Sequence, residues 1–177
     1  MTCIVGIAES GHVWIAADSC VSTGDVESET ASPKVATRDG WAWGMAGAWR
    51  AVVAVRDYLA VPDQGDAGEL YARVCALLKG MGAEDDDWEM VAGSEGRLYV
   101  LSEACSWHAV PVWQSGRRRK RSPRSWAACG SGGAYATGCL DAIADSDLTP
   151  EQRYTEALTV ASRRVSGVRP PWRHVET

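Results

Sequence analysis

The 177-residue sequence contains no phenylalanine; its aromatic share of 8% consists of nine tryptophans and five tyrosines. Rings of this kind serve as core or interface anchors, and no chemistry is read from them. No apolar run reaches the roughly 18 residues that a membrane-spanning helix needs. That excludes a helical membrane protein and points to a cytoplasmic chain with no membrane partner. No basic segment followed by an apolar stretch marks the beginning, so no secretory signal is expected. The six cysteines, Cys3, Cys20, Cys75, Cys105, Cys129 and Cys139, form no C-x-x-C pair. That spacing argues against a zinc site, and the thiols read as reduced, buried small hydrophobes. The dinucleotide-binding and P-loop glycine patterns are both missing. No cofactor and no metal are expected. Repeats and linkers are also missing, so residues 1–177 read as one domain with a substantial core.

What charge there is lies unevenly. The net charge is −5, yet the segment 117–124 holds six of the 18 basic residues: Arg117, Arg118, Arg119, Lys120, Arg121 and Arg124. The remainder carries a net −11. The block reads as a solvated, flexible loop. A nucleic-acid contact or an acidic partner surface is the alternative. No aromatic interleaving and no nucleic-acid motif accompany it, so nucleic acid is not an expected partner. The acids Glu84, Asp85, Asp86 and Asp87 are consecutive and cannot all point at one ion, so they read as a solvated turn.

The pattern of elements is legible along most of the chain. Residues 3–8 read as a buried strand, Glu9-Ser10-Gly11 as a turn, and 12–17 as the returning strand of a hairpin. A polar stretch follows from 18 to 32. Short strands are expected at 34–37 and 41–46 around the Asp39-Gly40 turn. Helical spacing covers 50–59 and 68–79, the second stopped by Gly80 and Gly82. Strands at 89–92 and 97–101 flank a further turn. The segment 107–126 contains the basic loop, and 125–129 is a strand running into Gly130-Ser131-Gly132-Gly133. A helix is expected at 133–144, and another from Thr149-Pro150-Glu151-Gln152, a cap followed by proline at the first helical position, to about 164. Residues 172–176 close as a strand. Strands and helices segregate, which indicates an α+β fold with helices covering the sheet faces.

Three residues carry candidate chemistry. An initiator methionine before a small residue is readily removed, which would make Thr2 the N-terminus. A threonine hydroxyl alone is a poor nucleophile at neutral pH. A free α-amino group on the same residue, with a reference pKa of about 7.7–8.0, can serve as its base. Asp18 ends the second strand of the hairpin, opposite the start of the first, so it can lie beside Thr2; it also suits a simple turn acid. Lys34 begins the next apolar segment. It is either a surface strand end or a cation that disfavours protonation of the amine and helps the hydroxyl lose its proton. Asp18 would then pair with it.

The glycines allow two readings each. Gly44, in Trp43-Gly44-Met45-Ala46-Gly47, lets a backbone N–H face an oxyanion, or serves a bulge or tight packing. The glycines at 130–133 join a strand to a helix and can bind a phosphate, while Ser131 can hydrogen-bond an N-terminal amine.

Together these residues resemble a family. Thr2-Cys3-Ile4-Val5-Gly6-Ile7, Gly11-His12-Val13-Trp14-Ile15-Ala16-Ala17-Asp18, Lys34-Val35, Gly44-Met45-Ala46-Gly47 and Gly130-Ser131-Gly132-Gly133-Ala134-Tyr135-Ala136 resemble proteasome β-type subunits. The nearest likeness is to the peptidase subunit of the bacterial two-component ATP-dependent protease, the HslV/ClpQ type. The separations, 16 residues from Thr2 to Asp18 and 32 to Lys34, make the combination fairly specific. The likeness is poor over 60–125 and after 160. It implies a four-layer αββα sandwich, the N-terminal-nucleophile hydrolase fold. It implies Thr2 as nucleophile and base, Asp18 and Lys34 as its supporting pair, Gly44 as oxyanion donor with Gly47 as the fallback, Ser131 near the amine, and Val21 near the specificity pocket. It also implies a homo-oligomeric ring or stacked rings acting on unfolded polypeptide, with an ATP-dependent unfoldase as a possible partner. Two departures stand out. The acid that family members often carry after the last long helix is replaced by Ser162-Arg163-Arg164-Val165-Ser166, and the 117–124 block has no clear counterpart. The leading reading is a threonine-type peptidase. The alternatives are a small-substrate amidohydrolase and a non-catalytic ring or scaffold subunit of the same fold.

Overall fold

The computed structural model describes residues 1–23, 26–84, 86–104, 106–112 and 123–177. The chain opens with strands β1 (Ile4–Glu9) and β2 (His12–Ala17), followed by β3 (Cys20–Thr23) and β4 (Val26–Glu29). Strands β5 (Val35–Arg38) and β6 (Trp41–Gly47) lead into helices α1 (Trp49–Tyr58) and α2 (Ala67–Gly80). Strands β7 (Trp88–Ser94), β8 (Arg97–Ser102), β9 (Ser106–Ala109) and β10 (Arg124–Cys129) come next. Helices α3 (Gly133–Ala142) and α4 (Pro150–Ser162) and the strand β11 (Arg173–Glu176) complete the chain.

Two antiparallel sheets stack face to face. One has the order β10-β1-β2-β11, the other is the meander β5-β6-β7-β8-β9, and β3-β4 is a separate hairpin. Both faces of each sheet are covered, so the central strands are apolar on successive residues rather than alternately. In β1, Ile4 packs toward the second sheet with Ile15, Val91 and Leu98. Its neighbours Val5 and Ile7 pack outward with Ala136, Leu140 and Leu158 of α3 and α4. In β6, Ala42 and Ala46 face the first sheet, while Trp41, Trp43 and Met45 pack against Val52, Val55, Leu70 and Val74 of α1 and α2. The layers are helices, sheet, sheet, helices: the αββα sandwich. The sheets approach closely where they lack side chains. A Cβ on Gly6 would lie 2.6 Å from Val91 Cγ1, and one on Gly44 would lie 2.7 Å from Ile4 Cγ2.

Helix ends follow the local chemistry. Thr149 Oγ1 accepts from Gln152 N at 3.2 Å, and Gln152 Oε1 accepts from Thr149 N at 2.9 Å. This is the reciprocal cap that the Thr-Pro-Glu-Gln sequence implies, and a cap of this type stabilises by about 1 kcal/mol. At the start of α2, Asp66 Oδ1 accepts from Glu69 N at 2.9 Å.

Three features depart from the sequence reading. The stretch from 18 to 32 contains the β3-β4 hairpin, hidden because its residues are mostly Ser, Thr and Glu with no apolar alternation. The segment from 107 contains most of β9, a four-residue edge strand whose Trp107 and His108 are exposed. The basic block also divides. Residues 117–122 lie outside the described residues, but Arg124 is a buried β10 residue and not part of a solvated loop. Its Nε lies 2.7 Å from Glu9 Oε1, and Arg153 Nη1 of α4 lies 2.8 Å from Glu9 Oε2. A charge in that position stays buried because a carboxylate shared with a second arginine compensates it.

Candidate active site

The β1-β2 turn sets the site. Ser10 and Gly11 both have positive φ, 54° and 87°, the two-residue hairpin turn that matches strand twist. Its register pairs Glu9 with His12 and Ile4 with Ala17. The residues just beyond that last pair, Cys3 and Asp18, are therefore neighbours. Asp18 N donates to Cys3 O at 3.3 Å. The Asp18 carboxylate accepts in return from Cys3 N at 2.8 Å and from Cys20 N at 2.9 Å.

Lys34 completes this arrangement from the other sheet. It sits just before β5, and its carbonyl accepts from Met45 N at 3.2 Å. Its Nζ bridges both Asp18 oxygens, at 3.0 and 2.9 Å. Asp18 is 1% exposed and Lys34 3%. Two charges this buried persist because each supplies what the other lacks, and backbone amides satisfy the remaining carboxylate lone pairs. The same Nζ donates to Thr2 Oγ1 at 2.9 Å. The hydroxyl donates to Met1 O at 2.8 Å, and Lys34 Nζ lies 3.4 Å from that carbonyl.

The third support comes from the end of β10. Gly130 has φ of +80°, and a Cβ there would meet Thr2 O at 2.5 Å, so only glycine allows this approach. Gly132 N donates to Thr2 O at 3.1 Å. Ser131 Oγ accepts from Thr2 N at 3.0 Å and lies 3.2 Å from Thr2 O. Thr2 is thus held at its nitrogen, carbonyl and hydroxyl by separate groups.

Thr2 borders a cleft of about 550 Å³ whose lining includes Ala46, Gly47, Asp87, Trp88, Glu89, Glu103, Gly130 and Ser131. That volume suits a small ligand or a peptide side chain. Of the seven residues singled out from the sequence, Thr2, Asp18, Lys34 and Ser131 come together, and Gly47 borders the cleft. Gly44 does not line it: its α-carbon faces Ile4, Ile15 and Val35 between the sheets, the packing role of a glycine. Gly47, the fallback, is the β6 glycine that borders the cleft. Val21, in β3, is not among the cleft residues. The acidic run forms the expected exposed turn, in which Asp86 pairs with Arg50 at the surface and Asp87 borders the cleft; Asp85 lies outside the described residues. Glu89 and Glu103 were missed. The available signal was Glu89 itself, an acid inside an otherwise apolar strand.

Cys3 lies next to the nucleophile candidate but is no competitor for it. Burial, and then the Asp18 charge, push its thiol up to about 12. The thiolate is the reactive form, so this cysteine is inert at neutral pH. Cys3, Cys20 and Cys129 are buried and free; Cys105 lies outside the described residues. Among the described residues no group of His, Cys, Asp or Glu is arranged to hold a metal ion, and no helix is long and apolar enough to cross a membrane.

No protein-family model and no curated protein match the chain. Solved structures do. BPH from Thiobacillus denitrificans, in complex with epoxomicin, matches with a TM-score of 0.75 at 14% identity, over 99% of this chain and 97% of that one. Eukaryotic HslV from Trypanosoma brucei matches with a TM-score of 0.72 at 15% identity, over 98% of each chain. Anbu, an ancestral β-subunit from Yersinia bercovieri, matches with a TM-score of 0.66 at 14% identity, over 100% of this chain and 81% of that one. End to end, the chain has the fold of HslV and BPH, as its resemblance to proteasome β-type subunits implies.

Proposed function

We propose that the protein is an N-terminal threonine peptidase, made active by removal of Met1. One observation carries this reading: Lys34 Nζ sits 2.9 Å from Thr2 Oγ1 while it bridges both oxygens of buried Asp18. A purely structural ion pair has no need of a third, hydroxyl partner at the wall of a cleft.

In the proposed reaction the free Thr2 amine takes the hydroxyl proton as Oγ1 attacks the peptide carbonyl. Ser131 orients the amine through the hydrogen bond already made by Thr2 N. Lys34 holds Oγ1 in place and favours its anionic form. The tetrahedral oxyanion is stabilised by a backbone donor, for which Gly47 replaces Gly44. The amine then delivers its proton to the departing nitrogen, the C–N bond breaks, and an ester to Thr2 remains. Water, deprotonated by the same amine, hydrolyses that ester and regenerates Thr2. The expected substrate is unfolded polypeptide. The expected assembly is a cytoplasmic ring or stacked rings of this chain fed by an ATP-dependent unfoldase, supported by the likeness to HslV.

Turnover of fluorogenic peptides by the purified chain tests this reading. Thr2→Ala abolishes cleavage if the reading is right. Cleavage that survives Thr2→Ala overturns it.

A further inference from the structure

The cleft beside Thr2 carries negative charge that the reaction above does not use. Asp87, Glu89 and Glu103 line it, and its described lining contains no lysine or arginine. Thr2 and Ser131 belong to the first sheet's edge of the cleft, whereas the three acids come from the ends of β7 and β8 in the second. The register pairs Glu89 with Ser102, and Glu103, the next residue, donates its N–H to Trp88 O at 3.3 Å at the same end of the two strands. Among the described residues, none of the three acids forms an ion pair. Glu89 Oε2 accepts from Gly130 N at 2.7 Å, which fixes that carboxylate against the loop gripping Thr2.

The three acids are exposed to solvent along the cleft, and a cleft lined by charge of one sign attracts a ligand of the opposite sign. The three acids do not form a metal-binding group, so an extended organic cation fits better than a compact ion. The lining supplies apolar surface too, from Ala46, Trp88 and Ala104. A lysine or arginine stem lies along such a surface while its head reaches a carboxylate. We infer that this cleft selects polypeptides carrying a lysine or arginine beside the scissile bond. The inference rests on the proposed Thr2 peptidase.

The test uses the full chain and three fluorogenic peptide amides that differ only in arginine, leucine or glutamate before the leaving group. The expected order of kcat/KM is arginine, leucine, glutamate. Arginine should lead leucine by about tenfold at low salt, and the gap should narrow as salt screens the carboxylates. The double variant Asp87→Asn, Glu103→Gln should move that ratio toward one; the salt dependence of the unaltered chain reads the same charges without a substitution. The mass adduct of epoxomicin on Thr2 separates the two readings. An adduct with no preference for arginine, or a preference insensitive to salt, overturns the specificity inference and leaves the peptidase. Neither adduct nor cleavage overturns the peptidase and this inference with it.

Discussion

Lys34 Nζ and Thr2 Oγ1 lie 2.9 Å apart, one donated by each of the two sheets. The sheet interface is therefore also what aligns the candidate nucleophile. Anything that shifts one sheet against the other separates the lysine from the hydroxyl.

Lys34→Met separates stability from chemistry. It leaves the buried Asp18 carboxylate without its cation, which costs about 3–5 kcal/mol of folding stability. Adding Asp18→Asn removes the stranded charge, keeps an oxygen for the Cys3 and Cys20 amides, and recovers part of that loss. Peptide cleavage stays abolished in both. Urea unfolding and a fluorogenic assay on the two variants measure this; cleavage restored by the second substitution contradicts the assignment of Lys34.

The two glycines of β6 should part company. Gly44→Ala forces a methyl group against Ile4 and costs about 1–3 kcal/mol by overpacking, but the folded fraction still cleaves. Gly47 has φ of +146°, and a Cβ there would lie 2.8 Å from Asp87 O. Gly47→Ala therefore distorts the cleft backbone where the oxyanion donor is proposed, and kcat should fall by about 10²-fold or more. Rates normalised to folded protein decide between them. The reverse pattern would return the donor role to Gly44.

Burial of thiols makes the fold sensitive to alkali. Cys3 is raised from an ordinary 9.0 to about 12, and Cys129 is raised well above 9.0, chiefly by desolvation. A raised folded value means that the contribution is complete below the unfolded pKa and is lost as pH climbs toward the folded one. For Cys3 the loss runs from pH 9.0 to about 12. The denaturation midpoint should fall over that window, and by less in Cys3→Ala. An equal fall in both proteins would contradict this cause.

The sequence shows most of this fold because both sheets are covered twice, which makes long apolar runs such as 3–8 and 12–17 unmistakable. It also shows Asp18 and Lys34, since hairpin register and strand starts are local properties. It hides β3-β4 and β9, whose polar or exposed residues leave no period. It assigns Arg124 to a charged run, because only the fold brings it to Glu9, 115 positions away. Choosing between Gly44 and Gly47 needs the packing of the opposite sheet, which no local pattern records.

The intact mass of the purified chain, before and after epoxomicin, tests the central claim most directly. The account predicts loss of Met1, then a single adduct that Thr2→Ala lacks, because the reagent needs both the hydroxyl and the amine of an N-terminal threonine. A chain that keeps Met1 and takes no adduct has its amine base blocked, and that result would contradict the threonine-peptidase reading.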